Sequence, residues 1–231
     1  YMKISRLNKM ETVNSGSYIE QGKDNQKFIV EWFKLNALSE EFAEKMSSLS
    51  RLGMDSFLSV ETHFLSAHPQ AMKEDKNLAA FSGLKDCELK SAMNAKLHKI
   101  FHAHPSNLSD ELRSFMSNAY YYFVTIKNET SEEVQGFITF MSGGPIAKDE
   151  HKITILAIDE NIRRAGLAGF LITSLKKIGI SSNKISVCTR PSNTAAISAY
   201  KKWGFIEDLE AQKNASAHFI KGHWIHLTHF E

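Results

Sequence analysis

The second half of the chain alternates between short apolar runs and polar turns, a pattern typical of a sheet with intervening helices. Residues 119–127 (AYYYFVTIK) and 134–141 (VQGFITFM) are rich in β-branched and aromatic side chains and flank a polar turn, so they predict a β-hairpin. The nearly continuous apolar run at 152–158 (KITILAI) predicts a strand buried on both faces. Further helices are predicted at 167–178 and 193–203, and further strands at 184–189 and 222–230. The order ββ–β–α–β–α–β indicates a mixed α/β layer.

The first half has a different pattern. Residues 1–26 are polar and rich in turn signals, so they predict an arm with at most one short strand, at residues 2–7. Residues 27–35 (KFIVEWFKL) predict a strand. Ser39 is followed by two glutamates and by apolar residues at helical spacing, which predicts a capped helix. From there to about residue 118 the pattern predicts short helices interrupted by prolines, with a fresh helix start at 109–112.

The stretch DENIRRAGLAG joins the strand at 152–158 to the next helix. A helix N-terminus carries unpaired N–H groups and a partial positive charge, so it suits an anion. Gly166 lets the backbone turn, and the small residues Ala168 and Gly169 leave room for phosphate oxygens to approach. Arg163 and Arg164 add full positive charges. On its own, this loop is compatible with either a phosphate site or a plain helix start.

A second motif follows at residues 190–205 (RPSNTAAISAYKKWGF). Asn193 is suited to cap a helix, Tyr200 and Trp203 share one face of it, and Gly204 ends it. No GxGxxG fingerprint is present, which argues against a nicotinamide cofactor. We call residues 159–169 the arginine loop. In this order and at this spacing, the arginine loop and the second motif resemble the GNAT superfamily of acyl-coenzyme A N-acyltransferases.

The resemblance covers residues 153–178 and 187–205 most closely. It implies an α/β fold with a mixed, mostly antiparallel central sheet and helices on both faces. It also implies a domain at 27–231 that follows the arm at 1–26. Within that domain, residues 27–118 would supply the first strand and the helices beside the acceptor, and residues 119–231 would form the acetyl-coenzyme A-binding core.

The same resemblance implies roles for individual residues. Backbone groups of the strand that ends at Ile158 would bond the pantetheine arm like an added strand. Amides of the arginine loop would hold the pyrophosphate, and Asn193 would contact the cofactor near the pantetheine. Tyr200 would be the catalytic residue, giving its phenolic proton to the departing thiolate. The full set of expected cofactor-binding residues is Leu156, Ala157, Ile158, Arg163, Arg164, Ala165, Gly166, Leu167, Ala168, Gly169, Asn193 and Tyr200.

The implied reaction moves an acetyl group from acetyl-coenzyme A to a primary amine of a small molecule or protein, by direct attack in a ternary complex and without a metal. No covalent intermediate is required, so Cys188 is expected to be a core residue. Ribosomal-protein acetyltransferases of this family carry a glutamate where Cys188 stands, and histone-type members carry one near Lys152. The sequence therefore departs from both patterns, and Glu150 and His151 are weak candidates for the general base, together with Glu160.

A rival interpretation is a non-catalytic module that binds acyl-coenzyme A as a sensor or contacts a partner protein. The missing glutamate favours this rival. Tyr200 argues against it, because a binding module has no need of a proton donor.

Composition narrows the other classes. A net charge of +2, from 28 basic and 26 acidic residues, argues against a nucleic-acid partner. No apolar run approaches the ~20 residues of a membrane span. Two cysteines and the lack of a secretory segment favour the cytoplasm. The paired histidines His98 and His102, and the spaced set His223, His226 and His229, do not converge by spacing, so no metal site is expected.

Overall fold

A single eight-stranded sheet in the order β1-β2-β3-β4-β5-β6-β8-β7 organises the part of the chain that the structure describes. The computed structural model describes residues 15–22, 26–74, 79–101, 110, 113–114, 117, 119–143, 147–177, 184–214 and 224–230. The strands are β1 (Ser15–Gln21), β2 (Lys27–Asn36), β3 (Tyr120–Asn128), β4 (Val134–Gly143), β5 (Ala147–Ile158), β6 (Lys184–Thr189), β7 (Ile206–Glu207) and β8 (Ile225–Phe230). The helices are α1 (Glu40–Ala67), α2 (Pro69–Glu74), α3 (Asp86–Phe101), α4 (Leu167–Lys177), α5 (Thr194–Lys202) and α6 (Leu209–Asn214).

Neighbouring strands run antiparallel except for β5 and β6, which are parallel. The core lies in two layers. On one face, Leu171 of α4 and Tyr200 of α5 pack with Ile153 of β5. On the other face, Met46 and Leu49 of α1 pack on the central strands. The expected fold, a mixed and mostly antiparallel sheet with helices on both faces, is confirmed.

The prediction for the polar N-terminal stretch is wrong, because residues 15–21 form the edge strand β1 and pair with β2. Gly16 looks like a turn residue in the sequence. In the fold it lies opposite Trp32, and a Cβ at Gly16 would come within 2.9 Å of the indole. Packing of an aromatic ring over a strand glycine explains why a turn-like sequence is extended here. The strand expected at residues 2–7 lies outside the described residues.

The region after β2 is also more regular than the sequence predicts. Ser39 caps α1 as expected, accepting a hydrogen bond from the Phe42 N–H at 3.1 Å. The helix then runs for 28 residues instead of breaking into short pieces. The interruption predicted at Pro69 is confirmed, since α1 ends at Ala67 and Pro69 opens α2. Pro105 and most of the helix start expected at 109–112 lie outside the described residues.

A β-bulge at Thr154 divides β5 into two halves. Ile153 pairs with Phe140 and Ile155 pairs with Thr139, so Thr154 is an extra residue. Its hydroxyl lies 2.7 Å from the Thr139 hydroxyl. Because an extra residue inverts the alternation of side chains, Ile153 faces the α4 layer whereas Ile155 faces the α1 layer. The apolar run is therefore buried on both faces, as predicted.

A buried ion pair fastens α1 to the end of β6. Arg190, directly after β6, donates from Nε to Glu61 Oε2 of α1 at 2.8 Å, and its second terminal nitrogen contacts Glu61 Oε1. The guanidinium lies against the rings of Phe64 and Trp224, with its Cζ 4.1 and 3.8 Å from the two ring centroids. Both charged side chains are almost inaccessible to water, at 2% and 6% exposed. Removing one partner would leave the other charge buried without compensation.

We expect Arg190→Met to lower the free energy of unfolding by about 3–5 kcal/mol, because it strands the Glu61 carboxylate. The double change Glu61→Met with Arg190→Met should be less harmful than the sum of the two single changes. Urea denaturation of the four proteins measures the coupling. Lys201→Met, which removes the exposed pair with Glu207, is the matched control and should cost less than about 1 kcal/mol. Additive single changes would show that the buried pair is not a unit.

Candidate active site

The two parallel strands separate soon after they meet. Their backbone pairing covers three residue pairs and ends at Ile153 opposite Val187. Beyond that point β5 continues to Ile158, still paired with β4, and β6 continues to Thr189, still paired with β8. We call the space between residues 154–158 of β5 and 188–189 of β6 the β5–β6 cleft. In the described chain its β5 edge has no neighbouring strand, so it can pair with an extended ligand that carries amides.

Two helices begin at this end of the sheet. The chain leaves β5 and enters α4 at Leu167, and it leaves β6 and enters α5 at Thr194. Because parallel strands have their carboxyl ends at the same edge, both helix N-termini lie beside the cleft. Helix N-termini favour anions, and a crevice at the carboxyl ends of parallel strands is the usual ligand site of such sheets.

The loop before α4 has an unusual backbone. Arg164 has φ 73° and Gly166 has φ 87°, both in the left-handed region. Gly166 adopts this backbone conformation without strain, whereas Arg164, which has a Cβ, is strained in it. Backbone strain of this kind is often found at functional sites. A Cβ added at Gly166 would meet no heavy atom within 4 Å, so this side of the loop is open.

The loop also has hydrogen-bond donors to spare. The Ala165 N–H donates to the Ile162 carbonyl at 3.4 Å, and the Phe170 N–H donates to the Gly166 carbonyl at 3.2 Å. Other N–H groups find no acceptor among the described residues; these are the amides of Arg164, Gly166, Leu167, Ala168 and Gly169. A run of unsatisfied donors at one helix N-terminus is the arrangement that holds a phosphate.

Side chains of the loop divide between the strand, solvent and the second helix. Arg163 donates from Nε to the Ile158 carbonyl at 3.4 Å, and both Arg163 and Arg164 are exposed. Gly169 has a role that the sequence did not predict: a Cβ there would lie 3.4 Å from the Trp203 indole nitrogen. Gly169 therefore faces Trp203, the residue directly after α5, at an ordinary contact distance.

The strand expected to bind pantetheine, β5, is paired with β4 along the edge that faces away from the cleft. Leu156, Ala157 and Ile158 pair with β4, so only their cleft-facing side is open. Gly136 makes this pairing possible, because a Cβ there would lie 2.5 Å from Ile158 Cδ1 and 3.0 Å from the Ala157 carbonyl oxygen.

Asn193 lies where β6 turns into α5 and caps that helix as predicted, accepting from the Ala196 N–H at 3.4 Å. Its amide nitrogen donates to Thr189 Oγ1 at 3.1 Å. The side chain is thus oriented at the end of the cleft by one bond to the helix and one to the strand.

Tyr200 is buried in the α4-side core. Its ring meets Trp203 and Phe205 edge-on, with centroids 5.8 and 5.2 Å apart. Burial raises the pKa of the Tyr200 phenol above its usual value of 10.0, so the phenol stays protonated at neutral pH. Its aromatic contacts stabilise the core.

The three base candidates that the sequence suggested lie in different surroundings. Glu150 lies 3.5 Å from the Lys184 ammonium. His151 is buried on the α4 side against the ring of Phe140, with centroids 5.4 Å apart. Glu160 is exposed in the first turn after β5.

The sequence analysis did not predict a contact between a cysteine and a histidine beside the cleft. Cys188 Sγ of β6 lies 3.1 Å from His226 Nδ1 of β8. The two residues are directly opposite in the strand register, and the expectation that Cys188 is a simple core residue did not include this contact. Only strand pairing reveals it, because nothing in the spacing of the two residues indicates contact.

Among the described residues, no three histidine, cysteine, aspartate or glutamate side chains are grouped as a metal site would need. His226 and His229 lie on opposite faces of β8, while His102 and His223 are outside the described residues and the His98 side chain is not described. None of the described helices is long and apolar enough to cross a membrane.

Comparison with known proteins adds the family. Residues 88–205 match the model of the acetyltransferase (GNAT) family. A GNAT acetyltransferase from Elizabethkingia anophelis with acetyl-CoA bound shares 20% identity over 53% of this chain and 84% of its own, with TM-score 0.35. A putative GNAT acetyltransferase from Desulfovibrio desulfuricans shares 10% identity over 87% of this chain and 98% of its own, with TM-score 0.42. The ribosomal-protein-S18-alanine N-acetyltransferase of Escherichia coli shares 18% identity over 55% of this chain and 74% of its own, with TM-score 0.37.

No curated protein matches the chain. The family match spans just over half of the 231 residues and includes the arginine loop, both cleft strands and Tyr200. The chain belongs to the GNAT family of acetyltransferases.

Proposed function

We propose that the protein is an N-acetyltransferase that moves the acetyl group of acetyl-coenzyme A to a primary amine by direct attack in a ternary complex. The observation that carries this proposal is the β5–β6 cleft, an open strand edge beside two helix N-termini. The open edge suits the amide-bearing pantetheine, and the unsatisfied loop donors suit the pyrophosphate. Membership of an acetyltransferase family is the second support.

The reaction needs few protein groups. The neutral amine attacks the thioester carbonyl, a C–N bond forms, and the C–S bond breaks as the thiolate leaves with its electron pair. Tyr200 is proposed to give its proton to that thiolate, since burial keeps the phenol in its protonated form. Orientation of the two substrates in one complex supplies much of the rate.

We place the acceptor on the α1 side of the sheet. α1 extends over the central strands and is fastened by Glu61 to Arg190 at the end of β6, next to the cleft. The acceptor is a primary amine of a small molecule or a protein, and the protein is proposed to work in the cytoplasm.

A thiol-release assay tests the activity directly. Acetyl-coenzyme A would be incubated with a panel of polyamines, aminoglycosides and peptides with free α-amines or lysines, and free thiol would be measured. We expect acetylated product from at least one amine, identified by mass spectrometry. Tight binding of acetyl-coenzyme A with no acetyl transfer to any member would support the rival interpretation, a non-catalytic acyl-coenzyme A sensor.

Gly166→Val should weaken acetyl-coenzyme A binding at least about tenfold, ~1.4 kcal/mol, because a β-branched residue at φ 87° strains the loop that presents the donors. Isothermal titration calorimetry measures the affinity. Gly83→Val is a matched control, since Gly83 has φ 90° and a Cβ there also meets nothing within 4 Å. The control should lose stability but not affinity. Equal affinity of the folded Gly166 variant and the wild type would remove the loop from the site.

Tyr200→Phe should lower kcat by on the order of 10²-fold, because it keeps the ring and deletes only the proton. Melting temperature and acetyl-coenzyme A affinity should stay near wild type, since the edge-on contacts are retained. Tyr122→Phe, in a ring that packs against the same core, is the control and should keep full activity. If Tyr200→Phe has the wild-type kcat when chemistry limits turnover, Tyr200 is a core residue only.

A further inference from the structure

The Cys188–His226 pair lies on the α1 face of the sheet, and Cys188 is its member at the cleft. Ile185 and Val187 of β6 and Leu227 of β8 belong to the core on the α4 side. Because side chains alternate along a strand, Cys188 and His226 face the other way, toward α1. Cys188 is the first residue of β6 beyond its last pair with β5, so it borders the β5–β6 cleft.

We propose that His226 is the general base of acetyl transfer and that Cys188 positions its imidazole. This inference rests on the proposed function. Cys188 Sγ lies 3.1 Å from His226 Nδ1 and 3.8 Å from Nε2, so the thiol contacts one nitrogen closely. In the tautomer that carries its proton on Nδ1, the nitrogen nearer to the sulfur, Nε2 has the lone pair and can accept a proton from the amine. Tyr200 and His226 then act from opposite faces of the sheet.

The proton balance closes without another reagent. As the amine forms the C–N bond, its surplus proton passes to His226 Nε2. As the C–S bond breaks, the thiolate leaves with the bonding pair and takes the Tyr200 proton. Afterwards the imidazolium releases its proton to solvent and the phenolate regains one, so the net products are an amide and free coenzyme A.

The groups around the imidazole keep it neutral. Burial, and then the charge of Lys152, lower the pKa of His226 below its usual 6.5, and Lys184 adds to this. Asp208 and Glu150 act in the opposite direction. A neutral imidazole can accept a proton at neutral pH, which is the state a base requires.

The thiol is also neutral. Burial raises the pKa of Cys188 above its usual 9.0; Lys152 opposes this, and Glu150 adds to it. A neutral thiol is a poor nucleophile, which favours a positioning role over attack on the thioester.

His226→Gln should lower kcat/KM by on the order of 10²-fold at pH 8 with the best amine of the panel, and leave acetyl-coenzyme A affinity unchanged. His229→Gln is the matched control, because His229 lies on the same strand but faces Phe205 on the α4 side. It should keep wild-type activity. Equal rates for wild type and His226→Gln would overturn the assignment.

The pH dependence gives a second readout. As pH falls through the His226 pKa, below 6.5, the wild-type imidazole becomes protonated and loses its function as a base. The ratio of wild-type to His226→Gln rates should therefore fall toward one. A ratio that stays constant while the His226 imidazole signal titrates would contradict the base role, because the ionisation of the amine affects both proteins equally.

Cys188 variants separate positioning from nucleophilic catalysis. Cys188→Ala should lower kcat several-fold, and Cys188→Ser should recover part of that loss, because a hydroxyl can also accept from Nδ1–H. Intact-mass spectra after acetyl-coenzyme A alone should show unmodified protein. An acetylated wild-type chain that disappears in Cys188→Ser would make Cys188 a nucleophile and overturn the proposal.

An NMR titration locates the residue independently of turnover. Imidazole signals of His226 and His229, assigned by their loss in the two glutamine variants, would be followed as acetyl-coenzyme A is added. The His226 signal should shift and the His229 signal should not. An unmoved His226 signal would overturn the proposal even in an active enzyme. Wild type that acetylates no amine would instead refute the proposed function, and the base assignment with it.

Discussion

The short parallel pairing of β5 with β6 is the constraint on which the candidate site depends. If the two strands stayed paired to their ends, the β5 edge would be satisfied and no extended ligand could join it. Pairing stops at Ile153 and Val187, next to the Thr154 bulge that twists β5 and inverts its alternation. The opening thus begins beside one extra residue, in a strand that stays paired with β4 on its other side.

The cleft requires support from outside the sheet, because separated strands do not stabilise each other. The buried pair of Glu61 with Arg190 supplies this support, since it joins α1 to the residue directly after β6. Its stacking between Phe64 and Trp224 excludes water and fixes the guanidinium plane. A buried ion pair adds little net stability compared with an apolar substitute, whereas the loss of one partner leaves the other charge buried and uncompensated.

The sheet is a single layer of strands, so side chains on its two faces can take part in different steps of one reaction. On the α4 face, burial keeps the Tyr200 phenol protonated. On the α1 face, burial and Lys152 disfavour the charged form of His226. Desolvation thus disfavours the charged form of both groups, so the phenol keeps its proton and the imidazole stays neutral, which are the states required by the proposed roles toward the thiolate and the amine.

The amino-acid sequence by itself determined the local features of the chain: the hairpin, the helix caps Ser39 and Asn193, and the glycine-rich helix start all depend on neighbours within a few residues. These features were predictable because short-range sterics and hydrogen bonds decide them. Tertiary structure alone decided the rest. Cys188 and His226 are 38 residues apart, and Glu61 and Arg190 are 129 residues apart, so only strand register and helix packing bring them together. A turn-like N-terminal stretch became β1 for the same reason, since Trp32 of the neighbouring strand covers Gly16.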